Sequence, residues 1–299
     1  MNAAVILMAY GSPDRLDDVP AYYADIRGGR PIAQVRLDDL VARYRALGVE
    51  NGDEPSPLNT ITEETRTALE AALGVPVFTG MRHWQPRIAT AVEAALFGGA
   101  DTLLGLVLAP HYSALSIGNY RVLFEEAVSG RAEARFVERW GADSALVEVF
   151  AQRCRAALDR HEAHIVFTAH SLPARILAAG DPYQDELLET AARIAEREAL
   201  SDWSFSFQSE SPTGEPWLGP DILDHLVALK ERGIEDVLVC PIGFVSDHLE
   251  IRWDIDHEAK RKADELGLRL ERIAMPNADP DFVAALAGIV RRELQAVAA

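Results

Sequence analysis

The sequence is short of cysteine and of basic residues, and each shortage excludes a class of protein. Its 299 residues include two cysteines, Cys154 and Cys240. Two are too few for a disulfide framework, or for the four ligands that a protein-bound iron–sulfur cluster usually takes. Lysine and arginine total 29 against 47 acidic residues, so the formal net charge is −18. The basic footprint of a nucleic-acid-binding protein is therefore missing, and the two cysteines are expected to be buried, reduced thiols.

Long apolar runs and several well-known motifs are missing as well. No stretch reaches the ~20 apolar residues that span a bilayer, and the opening MNAAVILMAYGSPD lacks the basic start of a signal peptide. We therefore expect a soluble, cytoplasmic protein with no membrane insertion. The chain also lacks a Walker phosphate loop, a glycine-rich dinucleotide loop, a G-x-S-x-G elbow and an H-E-x-x-H helix. These absences favour a chemistry that uses neither ATP nor nicotinamide.

Short apolar strands alternate with amphipathic helices along the whole chain, which predicts an α/β fold with parallel sheets covered on both faces. Four strands are predicted in each half: AVILMAY, PVFTG, TLLGLVLAP and ARFVERW, then HIVFTAH, WSFSFQS, DVLVCPIG and LRLERIA. The length and the two similar halves predict two domains, residues 1–148 and 149–299. A final helix over about 280–297 can pack on either domain.

The two halves begin alike, which suggests where a ligand would bind. VILMAY runs into GSP at 11–13, and IVFTAH runs into SLP at 171–173. Ligands of open α/β sheets lie beyond the carboxyl ends of the strands, so Tyr10 and His170 are predicted to face each other across one cleft. The third strands also match in kind, since one leads to His111 and the other to His248. Coincidence is the alternative, because apolar strands often end in polar loops.

Two groups of polar residues near strand ends are candidates for metal binding or proton transfer. His170, in A-H-S-L-P, can bind a divalent metal through a neutral imidazole or move protons near neutral pH; otherwise it is a hydrogen-bonded loop histidine. Glu250, Asp254 and Glu258 lie at i, i+4 and i+8, so a helix would place them on one face, with His257 close by. That face is either a solvated acidic surface or a ladder of oxygen ligands for a hydrated divalent cation.

Two further segments could line a pocket. The loop SFQSESPTGEPWLGP is rich in turn residues yet carries two aromatic residues, so it is either an ordered pocket wall or a plain connection. Arginines and tyrosines occur together near the N-terminus, where they suit a planar ligand with carboxylates or an ordinary charged helix. These residues are Tyr22, Tyr23, Arg27, Arg30, Arg43 and Tyr44.

Eight motifs in order, from about residue 5 to 290, resemble the ferrochelatase family. They are M-A-Y-G-S-P, D-I-R-G-G-R, S-P-L-N-x-I-T, L-A-P-H-Y-S, A-H-S-L-P, G-D-P-Y, S-P-T-G-E-P-W-L-G-P-D and G-F-V-S-D-H-L-E-I. The resemblance implies two Rossmann-like domains, each with a four-stranded parallel sheet flanked by helices, and a porphyrin cleft between them. It also implies a lyase of haem biosynthesis that inserts ferrous iron without ATP. The chain is most similar to the short, soluble Gram-positive-type enzymes, since it lacks the C-terminal extension and cysteines of cluster-bearing relatives.

The resemblance also implies roles for individual residues. His170 resembles the histidine at the metal-insertion face and Glu250 its acidic partner, so both are expected to be catalytic and to contact the metal. Tyr10 resembles a tyrosine that can ligate iron from the opposite face. The positions that match the porphyrin lining are Tyr10, Arg27, Arg43, Tyr44, Ser56 and Tyr120. Gly28 departs from the pattern, because some relatives carry a second arginine there.

A second metal site is implied by the same resemblance. His83, Asp254 and Glu258 resemble a path, or a second site, that leads outward from Glu250. We expect a regulatory Mg²⁺ at this acidic ladder. Beyond the substrate Fe²⁺, no cofactor and no iron–sulfur cluster are expected. We further expect a monomer, with transient contacts to neighbouring enzymes of haem synthesis.

The substrate predicted from the resemblance is coproporphyrin III, converted to its iron complex, coprohaem. The grounds are the short chain without a membrane-binding lip and the tyrosine at position 10. Protoporphyrin IX is the nearest alternative. A cobalt or nickel chelatase acting on a sirohydrochlorin-type ring is more distant, because the S-P-T-G-E-P-W-L-G-P motif is not expected there. A non-catalytic tetrapyrrole or metal carrier would bind the ring equally well without His170 and Glu250.

Overall fold

The protein contains two four-stranded parallel sheets with the same strand order. The computed structural model describes residues 2–50, 56–211 and 213–296. The first sheet has the order β2-β1-β3-β4 and the second β6-β5-β7-β8. The strands are β1 (Ala3–Ala9), β2 (Val77–Met81), β3 (Thr102–Val107), β4 (Glu133–Val137), β5 (His164–His170), β6 (Trp203–Gln208), β7 (Asp236–Cys240) and β8 (Arg269–Arg272). All eight predicted strands are present, so the predicted fold is confirmed.

Helices connect the strands and cover both sheets. They are α1 (Val19–Ile26), α2 (Gln34–Ala46), α3 (Pro57–Leu73), α4 (Ile88–Phe97), α5 (Ile117–Val128), α6 (Ser144–Leu158), α7 (Arg175–Ala178), α8 (Tyr183–Arg197), α9 (Ile222–Glu231), α10 (Lys260–Leu266) and α11 (Pro280–Gln295). A 3-10 helix spans Leu16–Asp18, and a π-helix spans Ile251–Ala259. Within the described residues, no helix is long and apolar enough to cross a bilayer.

Strand β1 shows why the apolar runs form these sheets. Val5, Ile6, Leu7 and Met8 are all fully buried. Side chains alternate between the faces of a strand, so Val5 and Leu7 join one apolar cluster while Ile6 and Met8 join another. Burying each such side chain stabilises the fold by about 1.5–3 kcal/mol. Because both faces are covered by helices, the strand reads as a continuous apolar run.

The two halves share one apolar core. The predicted boundary after residue 148 falls inside α6, which packs against both α8 and β7. The last helix, α11, packs against α3, β3 and α6, and the Arg135 side chain donates to backbone carbonyls of Glu293 and Leu294. One apolar cluster contains residues of both β1 and β5. The division into two domains therefore stays a prediction.

The two cysteines lie in this shared core. Cys154 on α6 and Cys240 at the end of β7 are fully buried and free, with 3.6 Å between their sulfur atoms. Burial raises the pKa of the Cys240 thiol well above its usual value. Because the thiolate is the reactive form, both residues act as packing groups, and the prediction of buried thiols is confirmed.

Candidate active site

A cleft lies where the carboxyl ends of the two sheets meet. Tyr10 directly follows β1 and His170 ends β5, and each of these strands is central in its sheet. Both side chains line the same cavity, which has a volume of about 320 Å³. Tyr120 from α5 and Glu250, at the start of the π-helix, also line it. The equivalent strand ends recognised in the sequence thus face one cleft.

His170 is held so that one ring nitrogen is free. Its Nδ1 lies 2.5 Å from the backbone oxygen of Ser171, and a carbonyl can only accept, so Nδ1–H is the donor. The Tyr183 hydroxyl donates to the His170 backbone oxygen at 2.9 Å, which fixes the end of the strand. In the tautomer with its proton on Nδ1, the lone pair of the imidazole is on Nε2. That nitrogen can accept a proton or bind a metal.

A second histidine, His248, pairs with Glu250. Its Nε2 lies 3.2 Å from Glu250 Oε2, and its Nδ1 lies 2.8 Å from the backbone oxygen of Ser246. Since Nδ1–H must donate to that carbonyl, Nε2 is the ring nitrogen that faces the Glu250 carboxylate. The ring of Phe244 lies 4.6 Å from the His248 ring and 6.4 Å from the His170 ring. The site thus combines a free imidazole with a histidine–carboxylate pair.

Asp254 adds a group that titrates near neutral pH. It is 7% exposed, and burial, followed by the charges of Glu250 and Glu258, raises its pKa to about 7. The Ser209 hydroxyl donates to its carboxylate, and the Arg43 guanidinium lies 3.6 Å away; both oppose that rise. Asp254 can therefore hold or release a proton beside Glu250 under ordinary conditions.

The helix that carries this acidic ladder differs in form from a regular α-helix. The sequence analysis treated Glu250, Asp254 and Glu258 as one face at α-helical spacing. The structure winds residues Ile251–Ala259 as a π-helix, whose hydrogen bonds run from i to i+5 and which is most often found at functional sites. The local sequence does not predict this form.

The predicted second metal site is not assembled as one group. His83 Nδ1 lies 2.8 Å from Asp25 Oδ2, and Arg87 also binds Asp25. Asp254 contacts Ser209 and Arg43 instead. No cluster of three or more histidine, cysteine or acidic side chains suited to a metal occurs in residues 2–50, 56–211 and 213–296. The magnesium site therefore stays a prediction.

Apart from Arg43, the predicted porphyrin-binding residues fall into two groups. Tyr10, Tyr44 and Tyr120 line the cleft. Arg27 and Ser56 each have a buried polar atom, Nε and Oγ, that lacks a hydrogen-bond partner in the described part of the chain. Neither Arg27 nor Ser56 is among the residues that line the cleft.

Two further positions from the sequence analysis are Arg43 and Gly28, the second of which is arginine in some relatives. Arg43 lies 5.3 Å above the Trp253 ring and contacts Asp39 at 3.0 Å. Gly28, where some relatives carry arginine, has a φ of +60°. This left-handed backbone favours glycine, which is a physical reason for the departure.

Tyr10 is a neutral phenol at the mouth of the cleft. It is 38% exposed, and its ring lies 4.6 Å from the ring of His83. Desolvation by the surrounding protein, followed by the charge of Glu250, raises its pKa to about 12. It can therefore donate a hydrogen bond. It becomes an anionic ligand only when a bound cation lowers its pKa.

The sequence analysis assigned no role to Arg82, which also lines the cleft. It directly follows β2, and its guanidinium lies 5.3 Å from the Tyr120 ring centroid. The rule that ligands lie beyond strand ends would have identified it. The sequence analysis matched His248, after β7, with His111, after β3, but assigned it no role.

His111 is buried in its neutral form at the edge of the cleft. It is 3% exposed, and its Nε2 lies 2.9 Å from the Thr190 hydroxyl. That hydroxyl donates to the Glu186 backbone oxygen, so Nε2–H is the donor to Thr190. Burial lowers the pKa of His111 to about 3.

Folding stability is expected to fall with acidity because of His111. In the unfolded chain the residue takes up a proton near pH 6.5, whereas in the folded protein it does so only near pH 3. Between these values its contribution to the free energy of unfolding decreases as the pH falls, by up to about 1.4 kcal/mol per pH unit. Urea unfolding of the wild type and of His111→Gln across pH 4–7 (roughly this window) measures the effect. The variant should show the shallower slope, and equal slopes would contradict the assignment.

Comparison with known proteins agrees with the fold. The sequence model of the ferrochelatase family matches residues 2–294. A ferrochelatase of Herpetosiphon aurantiacus is 44% identical over 97% of this chain and 98% of its own. A coproporphyrin III ferrochelatase of Geobacillus kaustophilus is 39% identical over 97% and 95%.

A solved structure of SirB from Bacillus subtilis with Fe³⁺ has a TM-score of 0.66 to this protein. It covers 99% of this chain and 97% of that one at 14% identity, so it shows a shared fold alone. The nearly full-length family match and the curated relatives carry the assignment. Together with the two sheets and the cleft between their strand ends, they show that the chain belongs to the ferrochelatase family, enzymes that insert metal into porphyrin without ATP.

Proposed function

We propose that this protein inserts Fe²⁺ into coproporphyrin III to form coprohaem, with His170 and the His248–Glu250 pair at the reacting centre. The observation that carries the proposal is the free Nε2 of His170 in the same cleft as that pair. Beyond the two substrates, porphyrin and Fe²⁺, the reaction is proposed to need no cofactor.

Metal insertion requires that the porphyrin lose its pyrrole protons and that Fe²⁺ lose water. His170 Nε2 accepts a pyrrole proton, because its Nδ1 is already committed as a donor to Ser171. The Glu250 carboxylate accepts the other, directly or through His248, and Asp254 with its raised pKa receives protons on the way out. The same basic atoms can replace water on Fe²⁺ as it enters.

The walls of the cleft position the ring for this step. A flat porphyrin aims its nitrogen lone pairs poorly at an incoming metal, so binding energy applied to bending the ring lowers the barrier. Aromatic side chains at the first sheet, Tyr10, Tyr44 and Tyr120, provide flat surfaces against it. Tyr10 lies on the sheet opposite His170, where it can contact iron from the other face.

The choice of coproporphyrin III rests on carboxylate recognition and on the relatives. Coproporphyrin III carries propionates where protoporphyrin IX carries vinyl groups. Arg82 lines the cleft, and arginine binds carboxylates well. The 39%-identical relative from Geobacillus kaustophilus is named coproporphyrin III ferrochelatase.

Anaerobic metalation of the two porphyrins, offered separately with Fe²⁺, tests the substrate. We expect kcat/KM for coproporphyrin III to exceed that for protoporphyrin IX by at least about tenfold, because a vinyl group in place of a propionate leaves Arg82 without a carboxylate partner. Visible absorbance follows the loss of free porphyrin. The reverse preference would overturn the substrate and keep the enzyme class. Binding of both rings without insertion would indicate a carrier.

A further inference from the structure

Gln208 is a fully buried side chain that lies between the segments carrying His170 and Glu250. It ends β6 and pairs in register with His170 at the end of β5. Its backbone oxygen accepts from the Ser171 backbone N–H at 2.7 Å, and the Ser171 oxygen in turn accepts from His170 Nδ1–H. Its side-chain Nε2 lies 3.0 Å from the Glu250 backbone oxygen. One residue therefore contacts the segments of both proposed reacting groups.

The hydrogen bonds determine the orientation of the Gln208 amide. A backbone carbonyl only accepts, so the amide nitrogen faces Glu250 and the amide oxygen, Oε1, faces Thr168. The Thr168 hydroxyl donates to Oε1 at 3.0 Å, and Thr168 on β5 is fully buried as well. Leaving either end of a buried amide unpaired costs free energy. The side chain is therefore held in one orientation, with a donor and an acceptor in use at the same time.

We propose that Gln208 is a positioning residue for iron insertion, which fixes His170 and Glu250 relative to each other. The inference rests on the proposed function, in which His170 Nε2 and the Glu250 carboxylate each accept a pyrrole proton. Glu250 immediately precedes the π-helix Ile251–Ala259, so the bond from Gln208 fixes the backbone from which the carboxylate extends into the cleft. Gln208 is not itself among the residues that line the cleft. It therefore acts on the reaction through these two residues, without contacting the porphyrin.

Gln208→Met removes both side-chain hydrogen bonds while keeping the length and approximate volume of the side chain. We expect kcat for anaerobic Fe²⁺ insertion to fall by about 10- to 50-fold, since a misplacement of ~1 Å at a reacting group can cost about 100-fold. KM and the porphyrin affinity measured by fluorescence quenching should equal those of the wild type, because the residues that line the cleft are unchanged. A residue with a merely structural role would lower stability without this division between kcat and KM.

Gln208→Glu tests whether the hydrogen bonds, rather than the shape of the side chain, carry the effect. Burial raises the pKa of a carboxyl group, so this side chain is expected to be neutral at about pH 6. The neutral acid can donate its O–H to the Glu250 oxygen and accept from Thr168, as the amide does. At that pH its kcat, taken relative to the wild type, should therefore exceed that of Gln208→Met.

Thr168→Val is a milder second variant, because it removes the single hydroxyl that donates to the Gln208 amide. We expect a loss in kcat of about two- to tenfold, again with KM unchanged. The matched control is Thr65→Val, which removes a similarly buried hydroxyl that donates to the Ile61 backbone oxygen within α3. Its kcat and KM should equal those of the wild type, and urea unfolding measures the stability of every variant.

Wild-type kcat in Gln208→Met, or equal kcat in Thr168→Val and Thr65→Val, would overturn the proposal. So would equal rates of Gln208→Met and Gln208→Glu at about pH 6, or a loss confined to KM, which would place Gln208 in porphyrin binding. The threonine pair decides the question where Gln208→Met does not fold. Failure of the proposed function gives a different result: the wild type inserts no iron, or His170→Ala inserts it at the wild-type rate.

Discussion

Replacing His170 with alanine is expected to reduce the rate of iron insertion by about 100- to 10,000-fold, the range for loss of a general base. Its Nε2 is the proposed acceptor of a pyrrole proton, because Nδ1 already donates to the Ser171 backbone oxygen. Porphyrin binding should be retained, since Arg82 and the tyrosines that line the cleft are untouched. Anaerobic single-turnover metalation measures the rate, and quenching of porphyrin fluorescence measures the affinity.

His161→Ala is the matched control for this experiment. It removes a histidine that contacts Glu271 rather than the cleft, so both rate and affinity should equal those of the wild type. If His170→Ala inserts iron at the wild-type rate, His170 is not the base. If it loses porphyrin binding as well, the residue acts in binding, and the assigned role is wrong.

Gly243→Ala is expected to cause the second-largest loss. A Cβ at this position would lie 2.5 Å from Ala169 Cβ and 2.8 Å from Ala169 Cα, and the backbone of β5 cannot yield without moving His170, the next residue. A displaced Gly243 would also shift Phe244 and His248, which lie in the same loop after β7. We expect a loss of about 1–3 kcal/mol in the free energy of unfolding and an insertion rate about 100-fold lower.

The same change at Gly118 is the control, because a Cβ there meets its nearest atom at 3.4 Å, an ordinary contact. Gly118 lies in α5, so alanine should stabilise the helix by about 1 kcal/mol. Urea unfolding measures the stability of both variants, and anaerobic metalation measures their insertion rates. Wild-type stability and rate in Gly243→Ala would show that the loop after β7 moves away from β5 without cost.

Several features of the cleft were predictable because they depend on strand ends. Tyr10 and His170 follow apolar runs that the alternation of strands and helices places at the centre of two similar sheets. The pairing of His248 with Glu250 was not predictable, although the two residues are close in sequence, since it depends on the turn between β7 and the π-helix. The predicted second site of His83, Asp254 and Glu258 stays a prediction, and the contact of His83 with Asp25 depends on the tertiary structure.

The amino-acid pattern was sufficient for the α/β class, the eight strands and the family resemblance, because each depends on local periodicity or on contiguous motifs. The side-chain arrangements depend on folding. The proton on His170 Nδ1, the raised pKa of Asp254 and the contact of Gln208 with Glu250 arise from neighbours supplied by other elements. The physical reason is that hydrogen bonding and desolvation act over a few ångströms in space, whereas residues 170, 208 and 250 are far apart along the chain.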